Sequence, residues 1–294
     1  MTKAFSISVF IVFLTLSHSQ LFASPQLPDY IIYKGDTIAT YTLILEQYFQ
    51  KQEKTDQVKL FGLSFRDGGS LNCWRGYQAI YIIENDSLFL ADIIYCGERR
   101  SGKIDKAASV EKMKTFFNDK FLNNKVFIDW FSGDMKFPLT NKVLRWDGVF
   151  YTIYEREKVL SISNGKIFAI DDVENYVDDP KRIDRKDKNK ISNILFKSLK
   201  KVRWKNKEDY DCSEEYMVTI DESGNVSKVR MLYSDEEVEK YYEKDEYHFC
   251  ISKVFNALKS LKFDIIKDKG KAIAEEIYIE IWVEDNGKLE NWTR

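Results

Sequence analysis

The chain has 294 residues, of which 44% are hydrophobic, 31% charged and 15% aromatic, with a formal net charge of -2. This is a globular composition with room for one large or two modest domains. The near-neutral balance removes the basic footprint of a nucleic-acid binder, and 4 Pro with 13 Gly argue against long linkers.

Lys3 precedes the apolar run AFSISVFIVFLTL, after which the small residues Ser17, Ser19 and Ala23 follow. This is the layout of a secretory signal peptide over residues 1–23, cut after Ser19 or after Ala23. The apolar run is shorter than the roughly 20 residues a membrane span needs, so no stable span is expected once the signal is removed. The expected location is the periplasm or the extracellular space. His18 falls within the signal, which leaves His248 as the only histidine of the mature chain.

The mature fold is expected to start with a strand at Tyr30–Tyr33, a turn at Lys34-Gly35-Asp36 and a short helix in TLILEQYFQKQ with Leu43, Tyr48 and Phe49 inward. Glu53–Gln57 is a polar break, and KLFGLSFRDGG is a strand ended by glycines. QAIYIIE and SLFLADIIY alternate about Asn85-Asp86 and form a hairpin. SVEKMKTFFNDKF is a helix capped by Ser109, with Val110, Met113, Phe116 and Phe117 on its apolar side. Strands then follow about Ser132-Gly133, Asp147-Gly148, Arg156-Glu157 and Asn164-Gly165, the last being the strongest hairpin signal. Together these give an antiparallel β-rich domain with two helices over residues 28–175.

Residues 176–187 are charged with both signs and read as a connector. Residues 188–294 form a smaller domain. Its first helix carries Ile191, Ile194, Leu195 and Leu199 on one side. A strand follows with Tyr216, Val218 and Ile220 on one face, then a turn at Asp221–Asn225 and a second strand. Cys250, Val254, Leu258 and Leu261 line a second helix, and Ile277, Ile279 and Ile281 alternate in the last strand. The fold class is therefore α+β, with a helix–strand–strand–helix–strand unit at the C-terminus.

Export gives the four cysteines a meaning. Four cysteines allow three pairings. The local one, Cys73–Cys96 and Cys212–Cys250, bridges the flanks of the first hairpin and clamps a helix to a strand. A tetrathiolate zinc site would need closely spaced cysteine pairs, which the sequence lacks.

The stretch VTIDESGNVSKVRM, ALKSLKF and GKAIAEEIYIEIWV, behind a helix, resembles the C-terminal domain of TonB-type energy transducers. The resemblance covers residues 188 to 283 and implies that helix–strand–strand–helix–strand order and an envelope membrane protein as partner. The chain departs from that family in its cleavable leader, its scarcity of proline, the missing Tyr-Pro before the first strand, and Asp264 where a proline usually follows the Phe. The N-terminal part, with NCWRGYQAIYII and FIDWFSGDM, resembles uncharacterised secreted proteins of the Bacteroidetes type, which imply no activity.

No GxSxG, HExxH, GxGxxG or P-loop is present, and no catalytic, metal or cofactor set stands out. Trp74, Arg75, Tyr77 and Trp130 are the candidate contact residues for a protein partner, because Trp, Tyr and Arg dominate binding hot spots. Packing over the Cys73–Cys96 bridge and in a turn explains the same residues. The expected function is non-enzymatic binding of an envelope protein. The alternative is a glycan-acting hydrolase, for which Asp129, Asp134 and Asp147, each near a tryptophan, supply candidate carboxyls.

Overall fold

The computed structural model describes residues 25–51, 59–60, 63–64, 70–205, 210–233 and 235–293. The signal-like leader, the polar break at Glu53–Gln57 and most of KLFGLSFRDGG lie outside the described residues. The α+β class stands: a mixed β-sheet domain with two helices precedes a smaller helix and strand domain.

In the first domain β1 (Asp29–Tyr33) pairs antiparallel with β2 (Asp36–Thr40) across the Lys34-Gly35 turn. Helix α1 (Ile44–Lys51) follows, burying Ile44, Leu45 and Phe49. A two-residue ladder joins β3 (Lys59–Leu60) to β4 (Leu63–Ser64). The expected hairpin is β5 (Gln78–Glu84) and β6 (Ser87–Ile94), with Asn85 and Asp86 both at positive φ. That backbone matches the twist of the flanking strands. The sheet is not a pure antiparallel meander, because β1 lies parallel to β5. A parallel pair needs a long crossover, and residues 34–77, including α1, supply it.

Helix α2 (Lys106–Phe117) begins three residues before the expected Ser109. Asp105 is the cap, accepting from Ala108 N–H at 3.0 Å. Ser109 is buried instead, where its hydroxyl accepts from Ile93 N–H and lies 3.1 Å from Asp92 Oδ1. Aspartate caps as well as serine, so tertiary contact decides which of the two takes the role.

Strands β7 (Phe121–Leu122) and β8 (Lys125–Phe127) pair on the flank of β6. β9 (Gly133–Pro138) pairs with β12 (Arg156–Ser163), and β12 with β13 (Lys166–Glu174). Between them β10 (Val143–Trp146) and β11 (Thr152–Tyr154) form a separate ribbon. Gly165 turns β12 into β13 at φ 75°, and a Cβ there would lie 2.0 Å from the carbonyl oxygen of Ile128, so only glycine fits. The sheet order is β2-β1-β5-β6-β13-β12-β9. The sheet curls so that its two end strands, β2 and β9, come back beside each other. The core lies inside the curl, with α1 and α2 contributing Phe49, Met113 and Phe117.

The second domain places α3 (Lys188–Leu199), α4 (Asp235–Tyr241) and α5 (Lys244–Leu258) with the sheet β16-β15-β19-β20. These strands are β15 (Glu214–Ile220), β16 (Val226–Met231), β19 (Glu275–Val283) and β20 (Leu289–Asn291). Tyr216, Val218, Ile220, Ile277, Ile279 and Ile281 face α3 and α5, as their alternation requires. Gly224 closes the β15–β16 turn at φ 79°, where a Cβ would lie 2.1 Å from the carbonyl oxygen of Phe263.

Residues 176–187 are built into the fold. β14 (Tyr176–Val177) pairs with β17 (Ile265–Asp268), which pairs in turn with β18 (Lys271–Ala272). Tyr176, Ile266, Leu144 and Ile153 form a small third core there. Arg185 is fully buried. Its Nε donates to Glu275 Oε2 at 2.9 Å, and Arg145 grips the same carboxylate through Nε and Nη2. Asp264, at the position where the resemblance has a proline, accepts from Asp179 N–H and lies 2.5 Å from the Tyr176 hydroxyl.

The two disulfides are Cys73–Cys96 and Cys212–Cys250, with Cα atoms 6.1 and 5.4 Å apart. They indicate an oxidising, extracytoplasmic compartment. Among the described residues no helix is long and apolar enough to cross a membrane. The bridges close 23 and 38 residues of chain, and chain entropy gives each about 3–4 kcal/mol. Cys250→Ser should therefore lower the urea midpoint of the C-terminal core, read by Trp204 fluorescence, and leave amide protection in β5 and β6 unchanged. Equal loss of protection in both domains would contradict separate bridging.

Candidate functional site: a cleft at the seam of the curled sheet

The seam between β2 and β9 opens into a cleft of about 430 Å³. β2 and its exit supply Ile38, Thr40, Tyr41 and Thr42; β9 supplies Asp134, Lys136 and Pro138; the β10–β11 ribbon supplies Phe150, Tyr151 and Tyr154. The β17–β18 hairpin of the C-terminal region closes it with Asp268 and Lys269. Strand alternation explains the β9 contribution. Met135 and Phe137 enter the core, so Asp134 and Lys136 face the other way.

The charged groups of the cleft are spent on one another. Lys136 Nζ lies 2.8 Å from Asp268 Oδ1 and 3.4 Å from Glu157 Oε1, and sits 5.0 Å above the Tyr151 ring. Glu157 is fully buried, accepting from Tyr154 N–H and from Asn175 Nδ2. Asn175 also accepts from Gly270 N–H and Lys267 N–H, which ties the hairpin to β12. Asp134 accepts from the Ser161 hydroxyl at 2.9 Å, with Lys269 Nζ at 3.9 Å. Burial, with the carboxylate of Asp268 beside it, pushes the Tyr151 phenol well above its ordinary value. It therefore stays a neutral donor across physiological pH.

The residues expected to contact a partner are mostly interior. Arg75 is 2% exposed and pairs with Asp29 at 2.8 Å. Tyr77 is fully buried and donates to Glu46. Trp130 is buried against Phe117, its rings 5.9 Å apart and stacked, and donates to the carbonyl of Ile44. Only Trp74, at 39%, is exposed. Arg75 and Trp130 found buried hydrogen-bond partners far away in sequence, and a hot-spot residue type is equally a good core residue once such a partner exists.

Of the three candidate carboxyls only Asp134 lines the cleft. Asp129 forms an exposed pair with Lys120. Asp147 caps its own turn, accepting from the N–H groups of Val149, Phe150 and Tyr151. His248 is exposed on α5, next to Tyr247. Among the described residues no group of His, Cys, Asp and Glu is placed to hold a metal ion. Glu157, Asp268 and Tyr151 were not singled out from the sequence; the β9 alternation signals Asp134 and Lys136, but nothing local signals the others.

A second feature lies on the C-terminal sheet. Trp282, on the side of β19 opposite Ile277, Ile279 and Ile281, stacks on Trp292 just beyond β20. Their centroids are 5.1 Å apart and their planes 13° from parallel. They are 43% and 48% exposed. Glu280, which accepts from the Tyr278 hydroxyl, and Glu290, which accepts from Trp292 Nε1, flank the pair.

No protein-family model matches the chain, and no curated protein or solved structure matches it.

Proposed function

We propose that this is an exported binding protein that engages an envelope protein through the outer face of its C-terminal sheet. The stacked Trp282–Trp292 pair carries the reading, since two large indoles left half exposed side by side form an anchor of the type that dominates protein interfaces. The flanking Glu280 and Glu290 favour a partner segment with basic residues around an apolar one. The resemblance to TonB-type C-terminal domains points to the same class of partner, a protein of the envelope membrane. The signal-like leader and the two disulfides support export.

A photo-crosslinking residue placed at Tyr278 in the exporting cell tests this. A discrete protein adduct should form, and Trp282→Ala with Trp292→Ala should reduce it by tenfold or more, the effect of losing about 2 kcal/mol at a hot spot. Adducts indifferent to both substitutions, or identical to those from a probe at Lys112 on the other domain, would defeat the proposal.

The second reading, a hydrolase acting on glycans, is favoured by Asp134 in an aromatic-lined cleft. Against it, both oxygens of Glu157 are occupied and Lys136 already bridges Glu157 to Asp268. Glycan turnover abolished by Asp134→Asn would establish it.

A further inference from the structure

We infer that the cleft between β2 and β9 binds a short, electrically neutral saccharide, at a site separate from the tryptophan face. Three observations lead there. The first is size. About 430 Å³ lies within the roughly 300–1,000 Å³ of small-molecule sites. Where β2 and β9 touch, their Cα atoms lie within 8 Å of each other, so no further strand fits between them at those points, since two strand spacings need roughly 9.5 Å.

The second is charge. The cleft shows both signs, and each group already has a partner: Lys136 with Asp268 and Glu157, Asp134 with Ser161 and Lys269. A charged ligand drawn to one member of a pair would meet that member's partner, which carries the ligand's own sign. A neutral ligand leaves the pairs intact and uses their outward lone pairs and protons.

The third is the wall chemistry. Tyr41 and Phe150 meet edge to face with centroids 6.2 Å apart, and Tyr151, 42% exposed, and Tyr154 continue the wall. Flat aromatic faces accept the C–H faces of a sugar ring, and Asp134, Thr42 and Thr152 line the same cleft with carboxylate and hydroxyl groups of the kind that meet ring hydroxyls. The Tyr151 phenol stays protonated, so it adds no charge to the wall. Because Asp268 and Lys269 belong to the hairpin of the C-terminal region, a bound saccharide touches both sides of the joint.

Calorimetry and thermal shift on the full mature chain test the inference, with cellobiose, maltose and N,N′-diacetylchitobiose as neutral probes and a hexuronate disaccharide as the charged one. At least one neutral probe should bind saturably below about 10 mM, with a rise in Tm, and the uronate should not. Tyr151→Ala should weaken the neutral probe about tenfold or more, whereas Tyr151→Phe should keep it within about threefold. If Tyr151→Ala does not fold, Tyr41→Ala reads the same aromatic wall at its other end. Trp282→Ala should leave saccharide binding unchanged, which separates this result from that for the partner face. No saturable binding of any neutral probe, equal binding of the uronate, or binding indifferent to both tyrosine substitutions would overturn it.

Discussion

Replacing Glu275 by Ala should destabilise the protein by about 3–5 kcal/mol, the usual cost of leaving buried charge without its partner. One carboxylate serves two buried guanidiniums. Arg145 holds both of its oxygens and Arg185 the second. Among the described residues Arg185 Nη2 already lacks a hydrogen-bond partner, so the site has no spare acceptor for the charge. Burial presses the Arg185 guanidinium down, and Glu275 counters it, while the like charge of Arg145 adds to the burial. Glu275→Gln keeps one acceptor and should cost less. Urea denaturation at neutral pH followed by tryptophan emission measures both.

The same group predicts an acid limb. Burial alone would push the Glu275 carboxyl up, but the hydrogen bonds and charges of Arg145 and Arg185 prevail and hold it below its ordinary value. The folded-state pKa is therefore lower than the unfolded one, near 4.3 for a glutamate. Its stabilisation is complete above that unfolded value and is lost as pH falls through the folded one. Glu275→Ala should flatten this limb of the stability–pH curve. A variant within about 1 kcal/mol of the parent would mean that the cluster behaves as a solvated surface pair.

Asp29→Ala should cost a similar amount, about 3–5 kcal/mol, confined to the first domain. Asp29 is fully buried and holds Arg75 Nη1 at 2.8 Å through one oxygen and Ala79 N–H at 2.8 Å through the other. Burial on its own would press the Arg75 guanidinium down, and Asp29 lifts it well above its ordinary value. Removing Asp29 strands a cation and a backbone donor together. The double substitution Asp29→Ala with Arg75→Met should recover most of the loss, because no charge is then left unpaired. Hydrogen exchange provides the readout: β5 and β6 amides should lose protection in the single variant, and β15 and β19 amides should not. Uniform loss, or no recovery in the double variant, would show that Asp29 acts through some other contact.

Much of the fold was legible because the forces that set it are short-range. Alternation in Tyr216, Val218 and Ile220, and in Ile277, Ile279 and Ile281, gave two central strands with the correct inward faces. Asn85-Asp86 and Asn164-Gly165 gave both main hairpins through residues that tolerate positive φ. The Cys73–Cys96 bridge followed from the first hairpin, which returns its flanks to each other. The parallel β1–β5 pairing did not follow, since alternation specifies a strand's faces and says nothing of its neighbours.

The sequence by itself determined the central strands and the main helices, the turns at Asn85-Asp86, Asn164-Gly165 and Asp221–Asn225, and which cysteines meet. These depend on the period of side chains along the backbone and on conformations confined to a few residues. Only the tertiary structure decided what Arg75, Tyr77, Arg145, Arg185 and Asp268 do. Whether an arginine pairs inside the protein or contacts a partner outside depends on finding a buried acceptor, and for Arg75 that acceptor lies 46 residues away, for Arg145 130. The cleft likewise draws on residues 38 to 42, 134 to 138, 150 to 157 and 268 to 269. They meet because the sheet curls until β2 faces β9 and because Asn175 ties the distant hairpin across the seam, a closure that arises from twist and packing summed over the whole sheet.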